Sequence, residues 1–433
     1  YVTGTIVASA IASSFATSFA ISLAGSIAMS ALAGKPSGSF GAQGQGVVNR
    51  DQMVKQAITN RRVVYGTAKV SGPIVFMETT DNDKYLHMAI VLAAHEVTNI
   101  FQIYIDDEPV GTGNINGFVG GDYKNKIRIK THFGSPDQVA DPEFDQDVFP
   151  NGIPNISAMV HGKEVYDVRD ETTHFSTNPA LCIRDYLLDT DYGLGVSTSE
   201  INNASFIEAA NECDELVNLS GEEKGERLGV NPVPYTIEYT TGGFSYTAMA
   251  AQGMSSTNVQ NMDYDNRYTM NGTFDTNQTP KSIIENMLTS LNGTFTYTAG
   301  EFALKAASYI APSDTLTQDI LRSGVSVKSK ESRRDQFNAV KGVFVFQGMG
   351  FKPTDYPTIT SSTFVAEDNG ETVFANIDFP YTVTPAIAQR LAKIALYANR
   401  QQLSLVFPCN LSAYKYQVGD TVINGEYDVE LDD

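Results

Sequence analysis

The sequence predicts an α+β chain dominated by β-structure and divided into several domains. Three observations predict it. The 433 residues include 35 glycines among many Asn and Thr, a composition of turns and strands more than of long helices. Apolar residues alternate, or run continuously over strand-length stretches, between clusters of Gly, Pro, Asn and Asp. The few helical stretches have sharply marked starts, in most cases a polar residue followed by proline. The length corresponds to about two to four domains.

The first element is unlike the rest. From Tyr1 to Gly34 there is no charge, and Val7 to Ser30 follows a four-residue repeat. A large apolar stripe (Val7, Ile11, Phe15, Phe19, Leu23, Ile27) lies beside an alanine stripe (Ala8, Ala12, Ala16, Ala20, Ala24, Ala28), with Ser14, Ser18, Ser22, Ser26 and Ser30 forming a third. As one α-helix, residues 1–34 would run roughly 50 Å, more than the ~30 Å apolar core of a bilayer. Small residues every fourth position let helices approach closely. A signal peptide fits poorly, because no basic region precedes the run and the run is too long. The segment reads as a helix packed in a larger assembly, as a segment that enters a membrane when triggered, or as a permanent anchor; the rest of the sequence selects the assembly. Residues 35–46, "KPSGSFGAQGQG", form a Gly/Ser linker.

From Val47 to about Gly120 the pattern is β. "RRVVYGTAKVSGPIVFMETT" predicts two strands broken at Ser71-Gly72-Pro73. "YLHMAIVLAAHEV" is a continuous apolar run and predicts a buried strand. "IFQIYIDDEPV" alternates and turns at Asp106–Pro109, and "NKIRIKTHFG" alternates again. Helices are expected after Asn178-Pro179, after Ser205 with Glu208 as a capping box, after Thr279-Pro280 with closure at Gly293, and after Thr384-Pro385. "GTFTYTAGEFALKAAS" predicts a hairpin turning at Ala299-Gly300. "FNAVKGVFVF" and "LSLVFPCNL" predict strands, and "YQVGDTVIN" a strand, a turn and a strand. Beyond the tetrads no internal repeat stands out.

The charge balance narrows the function. Lys and Arg number 30 against 50 Asp and Glu, a net charge of −20, which excludes a specific nucleic-acid binder but allows a surface that DNA slides past. The three cysteines, Cys182, Cys213 and Cys409, make no metal-binding spacing; Cys182 and Cys213 fall on predicted helices as buried free thiols, consistent with synthesis in a reducing compartment. His95-Glu96 lacks the second His of a zinc protease motif, Asn99 standing in its place, and His95 reads as an end-of-strand histidine with a satisfied ring. Asp106, Asp107 and Glu108, and Asp145 with Asp147, read as solvated turns rather than acid–base pairs. Asp189 and Asp191 follow a helix end without the later ligands of a calcium loop. Asn203, Asn218, Asn271 and Asn292 form Asn-x-Ser/Thr triplets by composition alone. No residue is assigned to catalysis, cofactor or metal, and no enzyme activity is expected.

Several stretches in order carry a family resemblance: "RRVVYGTAKVSGPIVF", "LHMAIVLAAHEVTNI", "THFGSPDQVADP", "GIPNISAMVHGKEVYDVRD", "FSTNPALCIRDYLLDTDYGLG", "RRDQFNAVKG", "DNGE", "AQRLAKIALYANRQQLSLVFP" and "VGDTV". Over about Val47 to Val422 the chain resembles the tail-tip central hub proteins of long-tailed bacteriophages and related prophages, the host-specificity (J-type) family of lambda-like phages. The resemblance implies a homotrimer on the tail axis with two tube-like β-barrel hub domains per chain and smaller domains inserted. The first hub domain would span 47–235 with an insertion at about 91–160, and the second 236–433 with an insertion at about 345–378. It implies as partners the distal tail protein, the tape-measure protein and other tail-tip proteins, with DNA passing the lumen unbound. The stripes of residues 1–34 would pack on the axis or contact the host membrane, and a fibre-bearing part is expected beyond Asp433, making this chain a fragment of a longer protein. A tail-associated cell-wall-degrading enzyme and a receptor-binding protein are the alternatives.

Overall fold

The computed structural model describes residues 60–138 with omissions at 83, 113–115, 120–122, 125 and 137. It then describes 156–218, 235–241, 244–250, 264–308, 311–328 without 313, 336–400, and 404–424 without 417. The strands, in chain order, begin with β1 (Arg62–Tyr65), β2 (Thr67–Val70), β3 (Ile74–Thr80), β4 (Tyr85–Ile90), β5 (Asn99–Ile105), β6 (Glu108–Thr112), β7 (Asn116–Phe118), β8 (Arg128–Lys130) and β9 (Ile156–His161). There follow β10 (Glu164–Asp167), β11 (Thr172–Phe175), β12 (Leu216–Asn218), β13 (Tyr235–Thr241), β14 (Phe244–Ala250), β15 (Tyr264–Asn266), β16 (Gly272–Asp275), β17 (Thr294–Thr298) and β18 (Glu301–Lys305). The last are β19 (Asp314–Leu316), β20 (Ser326–Lys328), β21 (Ala339–Lys341), β22 (Val343–Phe346), β23 (Lys352–Asp355), β24 (Ile359–Ser361), β25 (Phe374–Asn376), β26 (Ser404–Val406) and β27 (Val422–Asn424). The helices are α1 (Pro179–Leu188), α2 (Asn203–Asp214), α3 (Pro280–Leu288), α4 (Ser362–Glu367) and α5 (Pro385–Asn399).

β-structure dominates, as expected, but among the described residues no sheet closes into a barrel. The largest sheets are open, with orders β13-β14-β24-β21-β25 and β2-β9-β5-β6, and the others are two-stranded. The strands are short, and glycine kinks hand the chain from one sheet to the next instead of letting one sheet curl shut. At Gly66 the predicted first strand divides: β1 pairs antiparallel with β16, and β2 pairs antiparallel with β9. At Gly342 the same happens: β21 joins the larger sheet, and β22 pairs with β23.

The two kinks share one construction. At the first, Gly66 O accepts from Gly162 N at 2.8 Å, and the next amide, Thr67 N, donates to Asn271 Oδ1 at 2.8 Å. Gly66 has φ +61°, and a Cβ there would sit 2.3 Å from Met270 O, so only glycine fits. At the second, Gly342 O accepts from Tyr356 N at 3.2 Å, and Val343 N donates to Asp378 Oδ1 at 2.9 Å. A Cβ on Gly342 would lie 1.9 Å from Ile377 O. Each time, the carbonyl pressed on the glycine belongs to the residue just before the clasping Asn or Asp. Each time, a Thr-Pro helix start follows shortly, Thr279-Pro280 for α3 and Thr384-Pro385 for α5.

Helix starts follow local chemistry. Asn178 Oδ1 accepts from Ala180 N and Leu181 N at the head of α1, and Thr279 accepts from Ser282 N at the head of α3. α2 corrects the expected cap: Asn202 accepts from Ser205 N, and Ser205 lies inside the helix with its hydroxyl turned back to Asn202 O. The capping box in this region is Ser197 with Glu200. α1, α2, α3 and α5 bury Leu181, Phe206, Ile284, Leu391 and their neighbours in one large core together with β1, β16 to β18 and β22. Each such side chain contributes about 1.5–3 kcal/mol. A second core (Val70, Ile100, Ile105, Val160) lies under the β2-β9-β5-β6 sheet. The hairpin at Ala299-Gly300 forms as read; the turn read over Asp106–Pro109 is tighter, confined to Asp106-Asp107, with Glu108 and Pro109 already in β6, and all four turn residues have positive φ.

Two strand readings are corrected. The apolar run from Tyr85 is not buried: among the described residues β4 pairs only with β3, no further sheet covers this ribbon, and Tyr85, Leu86 and Val91 are exposed. In "YQVGDTVIN" only the second half forms a strand, β27; Tyr416 instead closes a 3₁₀ turn over Leu411–Lys415 and packs with Leu316 and Val422.

Substitution at the kinks tests this construction. In urea unfolding, Gly66→Ala should cost about 3 kcal/mol or more, from left-handed strain plus overlap with a carbonyl. Gly117→Ala, where a Cβ meets nothing within 4 Å, should fall within about 0.5 kcal/mol of the parent. Asn271→Ala and Asp378→Ala should each cost about 1–3 kcal/mol by leaving a strand amide without its acceptor.

Candidate functional site

Among the described residues a dense polar site gathers around the C-terminal half of α1. Asp185 and Asp189 are one helical turn apart on the same face. Lys163, in the turn between β9 and β10, reaches both: its Nζ donates to Asp185 Oδ2 at 2.7 Å and also to Asp189 Oδ2. Asp185 Oδ2 accepts as well from Tyr65 Oη at 2.5 Å. Asp189 Oδ1 accepts from Asp191 N and Tyr192 N, both at 2.8 Å, so the residue that ends α1 also shapes the following loop. His95 completes the junction from the loop between β4 and β5: Val64 N donates to its Nε2 at 2.9 Å, and Nδ1 lies 2.6 Å from Glu96 O. With Nε2 an acceptor, the proton sits on Nδ1. β1, the β9–β10 turn, α1 and the His95 loop are thereby locked together.

The electrostatics are those of a clamp. Burial pulls the Lys163 ammonium down, but Asp185 and Asp189 outweigh it and hold the pKa above the ordinary lysine value, the opposite of an activated amine. Burial raises the Asp189 carboxyl, and the Lys163 bond and two loop amides outweigh this, keeping it below the ordinary value. Burial and then Asp185 push the Tyr65 phenol far up. Burial lowers the His95 imidazole, only partly opposed by its bond to Glu96 O. An open cleft of about 640 Å³ lies outside this junction, lined by Tyr166, Arg184, Asp185, Leu188, Asp189, Thr190, Asp191 and Thr198.

The residues singled out in the sequence fare differently. The stripes Ala8, Ala12, Ala16, Ala20, Ala24, Ala28, Ile11, Phe15, Phe19, Leu23 and Ile27 lie outside the described residues, as do Asp145 and Asp147. Cys182 and Cys213 are buried free thiols, both raised chiefly by burial. Asp107 is not a merely solvated turn residue: it accepts from Lys69 Nζ at 2.6 Å and Lys352 Nζ at 2.7 Å, tying β2 to β23. Those two bonds hold its pKa at about 2. Asn271, read as a chance triplet, is the first clasp. Sequence reasoning missed Tyr65, Lys163 and Asp185; the spacing of Asp185 and Asp189 on a predicted helix was the available signal. Among the described residues no group of three or more His, Cys, Asp or Glu is placed to hold a metal, and no helix is long and apolar enough to cross a membrane.

With this geometry in hand, comparison with solved structures finds the fold elsewhere. A chain in a structure described as "Virion of native gene transfer agent (GTA) particle" matches over 96% of this chain and 92% of its own length, with a TM-score of 0.53 and 13% identity, a likeness of fold. No protein-family model and no curated protein matches the sequence.

The junction makes a pH prediction. Folded His95 titrates below the ordinary value of about 6.5, so on acidification the unfolded chain takes up the proton first. Its contribution to stability is therefore whole above about pH 6.5 and is lost as pH falls toward the folded value. Thermal unfolding between about pH 7.5 and 5.5 should show a falling Tm. His95→Gln should flatten that slope without abolishing it, since burial also lowers His161. An unchanged slope in the variant would show that His95 takes up its proton as readily in the folded chain as in the unfolded one.

Proposed function

We propose that this chain is a structural component of a phage-like virion, the central hub of the tail tip. It closes the tail tube before infection and opens to pass the tape-measure protein and DNA. The end-to-end likeness to a chain of a virion particle carries the reading. The kink, clasp and Thr-Pro helix occur twice, and two similarly built units per chain would let a trimer present a pseudo-sixfold ring to a hexameric tube; since Gly66 is clasped by Asn271, the first unit would be assembled from both sides of the 235/236 division. The net charge of −20 suits a bore through which DNA passes without sticking.

The surface is that of an assembly part. Two-stranded sheets are marginal alone and leave strand edges for neighbours to cover. Leu411 at 85% and Phe118 at 64% exposure add apolar surface suited to burial between subunits. In this reading the distal tail protein meets one face of the ring and tip proteins the other, the tetrad helices pack on the axis, and the role is non-catalytic.

Native mass spectrometry of the purified chain at micromolar concentration tests the assembly. A trimer is expected. A chain that stays monomeric, or that forms hexamers, contradicts the hub reading.

A further inference from the structure

Two cations of the described fold are buried, Lys69 at 4% and Arg184 at 6% exposure. Lys69 has its carboxylate, Asp107. Arg184 has none. Its Nε donates to Asn203 Oδ1 at 3.1 Å and its guanidinium lies 5.5 Å from the Tyr166 ring centroid, but its terminal nitrogens hydrogen-bond to no described residue. Asp167 and Asp185 act on it only from beyond ion-pair distance, and both are taken: Asp167 by Arg169, Asp185 by Lys163 and Tyr65. Burial pulls the Arg184 pKa below the ordinary guanidinium value. A guanidinium withdrawn from water without a counter-ion is costly, and an arriving carboxylate recovers the cost through a two-pronged bond.

The cleft beside Arg184 has room for such a group. Thr190 and Thr198 line its wall, and Asp191, also on the wall, is a carboxylate that no described cation holds. A short acidic turn matches this arrangement, its carboxylate inward and a backbone N–H toward Asp191. We propose that the Arg184 cleft is a carboxylate socket, filled by an Asp or Glu side chain of a neighbouring copy of this chain. That copies are neighbours rests on the hub reading. Copies each carrying −20 repel on average, so joining them needs local cation–carboxylate pairs. Arg62, Lys163, Arg169, Arg267, Lys305 and Arg400 already hold carboxylates within the protomer.

The test uses the full chain carrying Arg184→Lys, assembled from a mixture of ¹⁵N-labelled and unlabelled copies. A carbodiimide then joins amines to carboxylates in contact. The expected product is an isopeptide link from the substituted position to an acidic residue of the other isotopic copy. A link within one copy, to Asp167 or Asp185, or no link, overturns the socket. Native mass spectrometry of the same sample separates the two failures: a trimer lacking the link overturns only the socket, and a monomer overturns the hub reading as well. Arg184→Met supplies the independent arm. Association should weaken about thirtyfold or more while the Tm of the dissociated protomer holds or rises. A lowered Tm with unchanged association would make Arg184 a purely internal support.

Discussion

An extended strand that bends must find new acceptors for the amides at the bend, and the whole architecture follows from how this is done twice. At Gly66 and Gly342 the peptide passes so close beneath another carbonyl that no side chain fits, and the freed amide is taken by Asn271 or Asp378. Each bend divides one run between two sheets. The sheets then enclose the Pro-started helices, and the helices fill the main core. Without the two side-chain oxygens, an amide worth about 1–3 kcal/mol would lack its partner at each bend.

The same solution sets the character of the surface. Strands shared among several small sheets leave many edges, and among the described residues no further sheet closes over them. The polar junction around Lys163 does not alter this picture. Two carboxylates hold its lysine charged and its histidine bonds at both nitrogens, so it fixes the meeting of β1, the β9–β10 turn and α1. The groups with capacity to spare, Arg184 and the exposed apolar side chains, lie at the cleft and the surface, where neighbours can reach them.

Much of the local structure was legible in the sequence because its causes are local. Asn178-Pro179 and Thr279-Pro280 start helices by capping and a preset φ, and Asp106-Asp107 and Ala299-Gly300 turn where positive φ is tolerated. Readings failed where a neighbour decided the outcome. Ser205 lost the cap to Asn202, three residues earlier, whose side chain accepts from the amide of Ser205 itself. The run from Tyr85 looked like a core strand but found only β3 as a partner. The clasps join residues hundreds of positions apart in one case and tens in the other, and nothing beside Asn271 or Asp378 marks them. Of the candidate site, the Asp185–Asp189 spacing could be read and His95 was singled out as a histidine with a satisfied ring, which it is; Lys163 and Tyr65 arrive through the fold. The tetrad stripes fall outside the described residues.

In the proposed hub the two clasped units of a chain are equivalent parts of one ring. Symmetry-resolved imaging of the assembled particle should then show the Gly66–Asn271 and Gly342–Asp378 clasps of a trimer at one height and one radius, following each other at steps of about 60°. Clasps at clearly different radii or heights, or a ring that uses only one clasp from each chain, would contradict it.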